Sequence, residues 1–126
     1  MKELFIDTSI LIDFFQENIA PETETLIANS EPVVSAITFH ELYKFLLNTG
    51  KTHLWNDYKN RISRYKIINV DKEVSENAAL LGNRFGLSLG DSLIYASAQS
   101  CNLKLLTSDS DFKGKPNVIL GKKVKN

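Results

Sequence analysis

The 126 residues contain one cysteine, Cys101, so no internal disulfide can form. That usage fits a reducing cytoplasm. Three prolines and six glycines are scattered, without a linker, an internal repeat or a low-complexity segment. The length and this even texture predict one domain over residues 1–126. Net charge is absent as well, because fifteen basic and fifteen acidic side chains cancel. Binding nucleic acid by bulk electrostatics uses a clear basic excess, so neutral balance argues against that mode, although it does not exclude a local basic patch. No segment is long and apolar enough to span a bilayer, so no membrane partner is expected. Lys2 precedes an apolar stretch, but Asp7 and Asp13 interrupt it and no small-residue cleavage site follows, which argues against a secretory signal.

What is present is a 43% hydrophobic chain whose apolar runs change period along its length. Leu4-Phe5-Ile6 reads as a buried strand ended by Asp7-Thr8-Ser9. Short helices are predicted over Ile10 to Gln16 and from Pro21 to about Asn29, with proline in the first turn of the second. Pro32 to Ala36 reads as a strand, and Thr38 opens a helix through Leu47 that Gly50 stops. Thr52 to Arg64 is polar, with Leu54, Trp55, Tyr58 and Ile62 at near-helical spacing. Lys66 to Val70 is a third strand, and Glu73 to Phe85 a helix closed by Gly86. Ser88 opens another helix that Asn102 stops. Leu103 to Leu106 and Val118 to Leu120 are the last strands, and Lys122 to Asn126 is a basic tail expected to fray. Strands alternating with helices predict an α/β fold, a parallel sheet covered on both faces.

Four acids, Asp7, Glu41, Asp91 and Asp109, stand at strand exits or helix starts, with Asp111 close to the last. Capping accounts for acids in such places, because a carboxylate complements the helix dipole and satisfies free N–H groups. Thr38-x-x-Glu41 and Ser88-x-x-Asp91 both match the capping-box pattern. Asp71 also ends a strand and is assigned capping alone. Two features set the four apart from it. In a parallel sheet the ends of the first and fourth strands would meet, with the helix from Ser88 feeding the same edge. Their neighbours are also small or hydroxylic: Thr8, Ser9, Gly90, Ser92, Ser108 and Ser110.

Carboxylates forced together repel unless a proton or a cation intervenes. An all-oxygen set suits Mg²⁺ or Mn²⁺, whereas zinc favours histidine and cysteine. His40-Glu41 is not a zinc-protease motif, since Lys44 stands where its second histidine would be. His40 and His53 are read as surface or supporting residues, and neither a glycine-rich phosphate loop nor a Ser–His–Asp arrangement is evident.

Leu4 to Asp13, LFIDTSILID, resembles the opening of PIN-domain ribonucleases, specifically the VapC-type toxins of toxin–antitoxin pairs. Ser35 to Leu42 resembles the segment with the second acid, Gly90 to Ala98 the block with the third, and Leu105 to Phe112 the last. Four blocks in order, across nearly the whole chain, make the resemblance specific. It implies a three-layer α/β/α sandwich around a mostly parallel sheet. It implies Asp7, Glu41, Asp91 and Asp109 as the catalytic acids, with Asp7, Asp91 and Asp109 on Mg²⁺ or Mn²⁺. Thr8, Ser108 and Asp111 would support them, and Asp111 competes with Asp109 for the last place. The implied activity is hydrolysis of an RNA phosphodiester by metal-activated water, leaving a 5′-phosphate and a 3′-hydroxyl. The implied partners are a cognate antitoxin protein that covers the site and a second copy of the chain in a homodimer.

Lys44, Lys51, Arg61, Arg64, Arg84, Lys113 and Lys115 are candidate RNA contacts, with solvated surface charge as the plainer reading of each. Tyr43, Phe45, Leu46, Trp55 and Tyr58 are either core or a face for a partner. Three other readings compete: a PIN nuclease of RNA processing without an antitoxin, a catalytically silent interaction domain, and a phosphoacceptor receiver domain. The four retained acids disfavour the silent domain. The receiver needs an acid pair and a late lysine in places this chain does not provide.

Overall fold

The computed structural model describes residues 1–124; Lys125 and Asn126, the end of the basic tail, lie outside the described residues. Five strands form one parallel sheet: β1 (Glu3–Ile6), β2 (Glu31–Ser35), β3 (Lys66–Ile68), β4 (Leu105–Thr107) and β5 (Val118–Leu120). Their order across the sheet is β3-β2-β1-β4-β5. Helices α1 (Thr8–Phe15), α2 (Pro21–Ala28), α3 (Ile37–Asn48), α4 (Trp55–Ile62), α5 (Lys72–Phe85) and α6 (Leu89–Ser100) connect them.

Alternation along the central strands divides the core in two. Leu4 and Ile6 of β1, Val34 of β2 and Leu106 of β4 pack with Ile10, Leu11, Leu42, Leu46, Tyr58 and Ile62. Phe5, Val33 and Leu105 point the other way, onto Val74, Ala78, Leu81, Ile94, Tyr95 and Phe112. Consecutive residues of a strand face opposite sides, and a covered parallel sheet needs apolar side chains on both. The result is the expected three-layer α/β/α sandwich.

Several local expectations change. The helix after β1 starts at Thr8, two residues earlier than its apolar run suggests. Thr38 is not an N-cap: α3 begins at Ile37, whose N–H donates to Ser35 Oγ at 3.1 Å, and Thr38 lies inside the helix with no exposure. The polar segment from Thr52 to Arg64 divides into a 3₁₀ turn, Thr52–Leu54, and α4. β3 stops at Ile68 and β4 starts only at Leu105, because Asn102 turns the chain through a left-handed φ of 58°. The start of the tail is held rather than frayed. Lys123 bridges to Ile19, Ala20 N–H donates to Lys122 O at 2.9 Å, and Lys122 N–H donates to Thr23 Oγ1 at 3.0 Å.

Of the aromatic group, Leu46 and Tyr58 enter the core. Tyr43 stacks on Trp55 with centroids 4.7 Å apart and remains 40% exposed. Asp71 caps α5, its Oδ1 accepting from Val74 N–H at 2.8 Å, as the plain capping reading holds. Among the described residues no helix is long and apolar enough to cross a membrane.

Candidate active site

β1 and β4 are neighbours, Ile6 opposite Leu106, and Asp7 N–H donates to Leu106 O at 2.9 Å. Residues 7–9 and 107–111 therefore leave the sheet side by side, at the carboxyl edge where open α/β sheets bind ligands. Asp7 occupies the N-cap position of α1, yet its side chain makes no capping bond. Its Oδ2 instead accepts from Ser9 Oγ at 2.7 Å and Thr107 Oγ1 at 2.8 Å. Those two hydroxyls also hold the following loop: Ser108 N–H donates to Ser9 Oγ at 3.1 Å, and Asp109 N–H donates to Thr107 Oγ1 at 3.0 Å. Asp109 and Asp7 thus hang on one hydrogen-bond network.

Glu41 arrives from α3. Its Oε1 accepts from Thr8 Oγ1 at 2.7 Å, and the same hydroxyl lies 3.0 Å from Thr38 Oγ1. Asp91 arrives from the first turn of α6, which Ser88 caps by accepting Asp91 N–H at 3.2 Å. One carboxylate oxygen from each of Asp91, Asp109 and Asp111 lies within 4.8 Å of the others. Asp7, nearly buried at 4% exposure, lies outside that trio, in which Asp111 stands with Asp91 and Asp109. Ser108 does not turn its hydroxyl to the acids; it donates to Asp13 Oδ2 at 3.2 Å.

The electrostatics follow from burial and like charge. Burial raises the Asp7 carboxyl above its usual range and Asp109 adds to this, while the hydroxyls of Ser9 and Thr107 pull the other way. Glu41 is raised by desolvation and by Asp7, and the Thr8 hydroxyl opposes the shift. Asp91 is pushed up to about 7 by desolvation, then by Asp109 and Asp7. A group of acids that resists losing all its protons together is relieved by a cation. Asp91, Asp109 and Asp111 offer the oxygen donors a hard divalent ion prefers, within 4.8 Å of one another.

Over residues 4–117 the chain matches the family model described as PIN domain. It belongs to the PIN-domain family. No curated protein matches it. Among solved structures, a toxin–antitoxin complex from Klebsiella pneumoniae is 27% identical, with a TM-score of 0.76 over 92% of this chain and 95% of that one. VapBC2 from Rickettsia felis, bound to a DNA fragment from the promoter, is 23% identical with a TM-score of 0.71, covering 96% and 98%. VapBC from Salmonella typhimurium, bound to DNA, is 20% identical with a TM-score of 0.72, covering 95% and 97%. Family and fold support a nuclease of the VapC type.

Within this PIN domain, several residues of the site were not assigned a role from the sequence. Thr107 and Ser9 anchor Asp7, and Asp13 anchors Ser108. Asp13 is 4% exposed, six residues after Asp7 on the same helix-bearing segment, and a buried carboxylate inside an apolar run was the available signal. The basic candidates separate. Lys44 and His40 line an open groove of about 620 Å³ between α3 and α6, together with Glu41 and Gly90. Lys115 Nζ donates to Asp111 O at 2.6 Å. Arg61 lies over the Phe15 ring at 3.9 Å. Arg64 lies near Glu3 and Glu31, at the opposite end of the strands.

Proposed function

We propose that this PIN domain is a Mg²⁺- or Mn²⁺-dependent endoribonuclease and the toxin of a toxin–antitoxin pair in the cytoplasm. The observation that carries the reading is the convergence of Asp7, Glu41, Asp91 and Asp109 from four separate segments onto one sheet edge. Asp91 and Asp109 would hold the ion with Asp111 or Asp7 completing the set, and Glu41 would face the same space. A bound divalent ion supplies a lowered pKa for water and neutralises charge growing on a phosphoryl group.

The chain's own contribution is placement. Thr8 holds Glu41 and thereby spans α1 and α3. Ser9 and Thr107 keep one oxygen of Asp7 directed at the loop that carries Asp109. An ion held by these acids would offset the charge of the scissile phosphate, and water attacking the phosphorus would displace the 3′-oxygen, leaving a 5′-phosphate and a 3′-hydroxyl. The 2′-hydroxyl is not the nucleophile here, so preference for RNA rests on strand shape and flanking contacts. Lys44, which lines the groove with Glu41, would meet a neighbouring phosphate.

The Klebsiella pneumoniae relative is described as a toxin–antitoxin complex. By that likeness the partner of this chain is a cognate antitoxin; the family resemblance further implies that it covers the acidic edge and that the chain forms a homodimer. The experiment is a cleavage map of cellular RNA with Mn²⁺, wild type against Asp7→Asn. Discrete new 5′-phosphate ends in the wild type alone support the reading. Identical maps from the two proteins contradict it.

A further inference from the structure

Gly90 sits in the first turn of α6, immediately before Asp91, and its backbone gives no reason for a glycine. Among the described residues, those with left-handed φ are Glu17, Asn102, Asn117 and the glycines 50, 86 and 114, so Gly90 has a conformation any residue adopts. Nor is it the cap, a role taken by Ser88. In a helix an alanine is the more favourable residue there. What the absent side chain leaves room for is a carboxylate. A Cβ at residue 90 would stand 2.6 Å from Glu41 Oε2 and 3.7 Å from Glu41 Cδ.

We infer that Gly90 is a positioning residue for the nuclease centre, its missing Cβ being the seat of the Glu41 carboxylate beside Asp91. The inference rests on the reading of Glu41 as part of that centre. Glu41 is held from two sides. Thr8 fixes Oε1 through a 2.7 Å hydrogen bond, and the bare α-carbon of Gly90 lets Oε2 lie against the first turn of α6. A methyl group at residue 90 meets only the end of a flexible side chain, so the fold accommodates it. The carboxylate must give way, leaving either the Thr8 hydroxyl or its place beside Asp91. The same change that improves the helix therefore misplaces the acid. Glycine here serves geometry between α3 and α6 rather than turn formation.

The test uses four full-length proteins: wild type, Gly90→Ala, Glu41→Gln and the double variant Gly90→Ala/Glu41→Asp. Aspartate is one methylene shorter and withdraws the carboxylate from the added methyl. Melting temperature, Mn²⁺ affinity by calorimetry and single-turnover RNA cleavage are measured for each. The expected result for Gly90→Ala is an unchanged or raised melting temperature, weaker Mn²⁺ binding and a cleavage loss of ~10- to 100-fold, the scale of a 1 Å misplacement. The double variant recovers part of that loss. If Glu41→Gln abolishes cleavage while Gly90→Ala cleaves and binds Mn²⁺ like wild type, the positioning role is wrong and the active-site reading survives. If Gly90→Ala loses activity together with melting temperature, and the double variant rescues neither, the glycine is structural and the inference fails. If Glu41→Gln retains full cleavage, the underlying reading fails first.

Discussion

Ser108 Oγ donates to Asp13 Oδ2 at 3.2 Å, joining the loop that carries Asp109 to the middle of α1. Asp13 has 6% side-chain exposure, and its other oxygen lies 3.7 Å from Lys123 Nζ. One buried carboxylate therefore ties both the active-site loop and the C-terminal segment to the first helix. Replacing it with alanine leaves the Ser108 hydroxyl without its acceptor. Asp13→Ala should cost about 1–3 kcal/mol, the range for removing one partner of a buried hydrogen bond. Cleavage should fall along with stability. Urea denaturation and an RNA cleavage assay check the pair of effects, and an undiminished denaturation midpoint would refute the anchoring role.

Asp7→Asn and Asp91→Asn separate function from folding. Each removes a negative charge from a crowded set whose members raise one another's pKa. The metal-free variants should melt at or above the wild-type temperature, while RNA cleavage disappears. Calorimetric melting and a cleavage assay decide this, and retained activity in both variants would overturn the site assignment.

The same crowding gives the metal-free protein a pH dependence with a definite sign. Asp91 is raised from 3.8 to about 7, so between those values the folded state binds more protons than the unfolded state. Stability then falls as pH rises through that window. The contribution is fully present below pH 3.8 and is lost on passing about 7. Mg²⁺ or Mn²⁺ should flatten the trend by replacing the proton. Melting curves from pH 4 to 8, with EDTA and with Mn²⁺, measure both slopes; a metal-free protein that gains stability from Asp91 over this range would contradict the assignment.

Gly121 tests how firmly the chain beyond β5 is seated. A Cβ there would lie 2.7 Å from Ile10 Cδ1 and 3.0 Å from Thr23 Cγ2. Both neighbours are well buried, so Gly121→Ala should destabilise by about 1–3 kcal/mol, the usual cost of overpacking. Thermal denaturation checks it, and a neutral result would mean that this segment gives way easily.

The sheet was legible in the sequence because its central strands carry apolar residues on both faces: Leu4-Phe5-Ile6, Val33-Val34 and Leu105-Leu106 feed the two halves of the core. Asp7, Glu41, Asp91 and Asp109 were legible because they stand at strand exits and helix starts beside small residues. What surrounds them was not. Asp7 looks like a cap by position, but its oxygen is taken by Thr107, 100 residues away. Thr38 matches a capping box by spacing, but the Ser35 hydroxyl starts the helix earlier and Thr38 turns inward to Thr8. Local patterns report what a residue can do for its own helix; hydrogen bonds to segments distant in sequence took up the side chains of Asp7 and Thr38. The trio of Asp91, Asp109 and Asp111 also depends on a 3₁₀ turn, Ser110–Phe112, in which Asp111 N–H donates to Asp109 Oδ1 at 2.9 Å.

A crystal grown with Mn²⁺ and measured at a wavelength where manganese scatters anomalously shows whether the converging acids hold a divalent ion. The expected result is an anomalous peak ~2.0–2.2 Å from carboxylate oxygens of Asp91 and Asp109, absent from an Asp91→Asn crystal. A site without manganese at millimolar Mn²⁺, or manganese bound only to surface acids away from Asp7, Asp91 and Asp109, would contradict it.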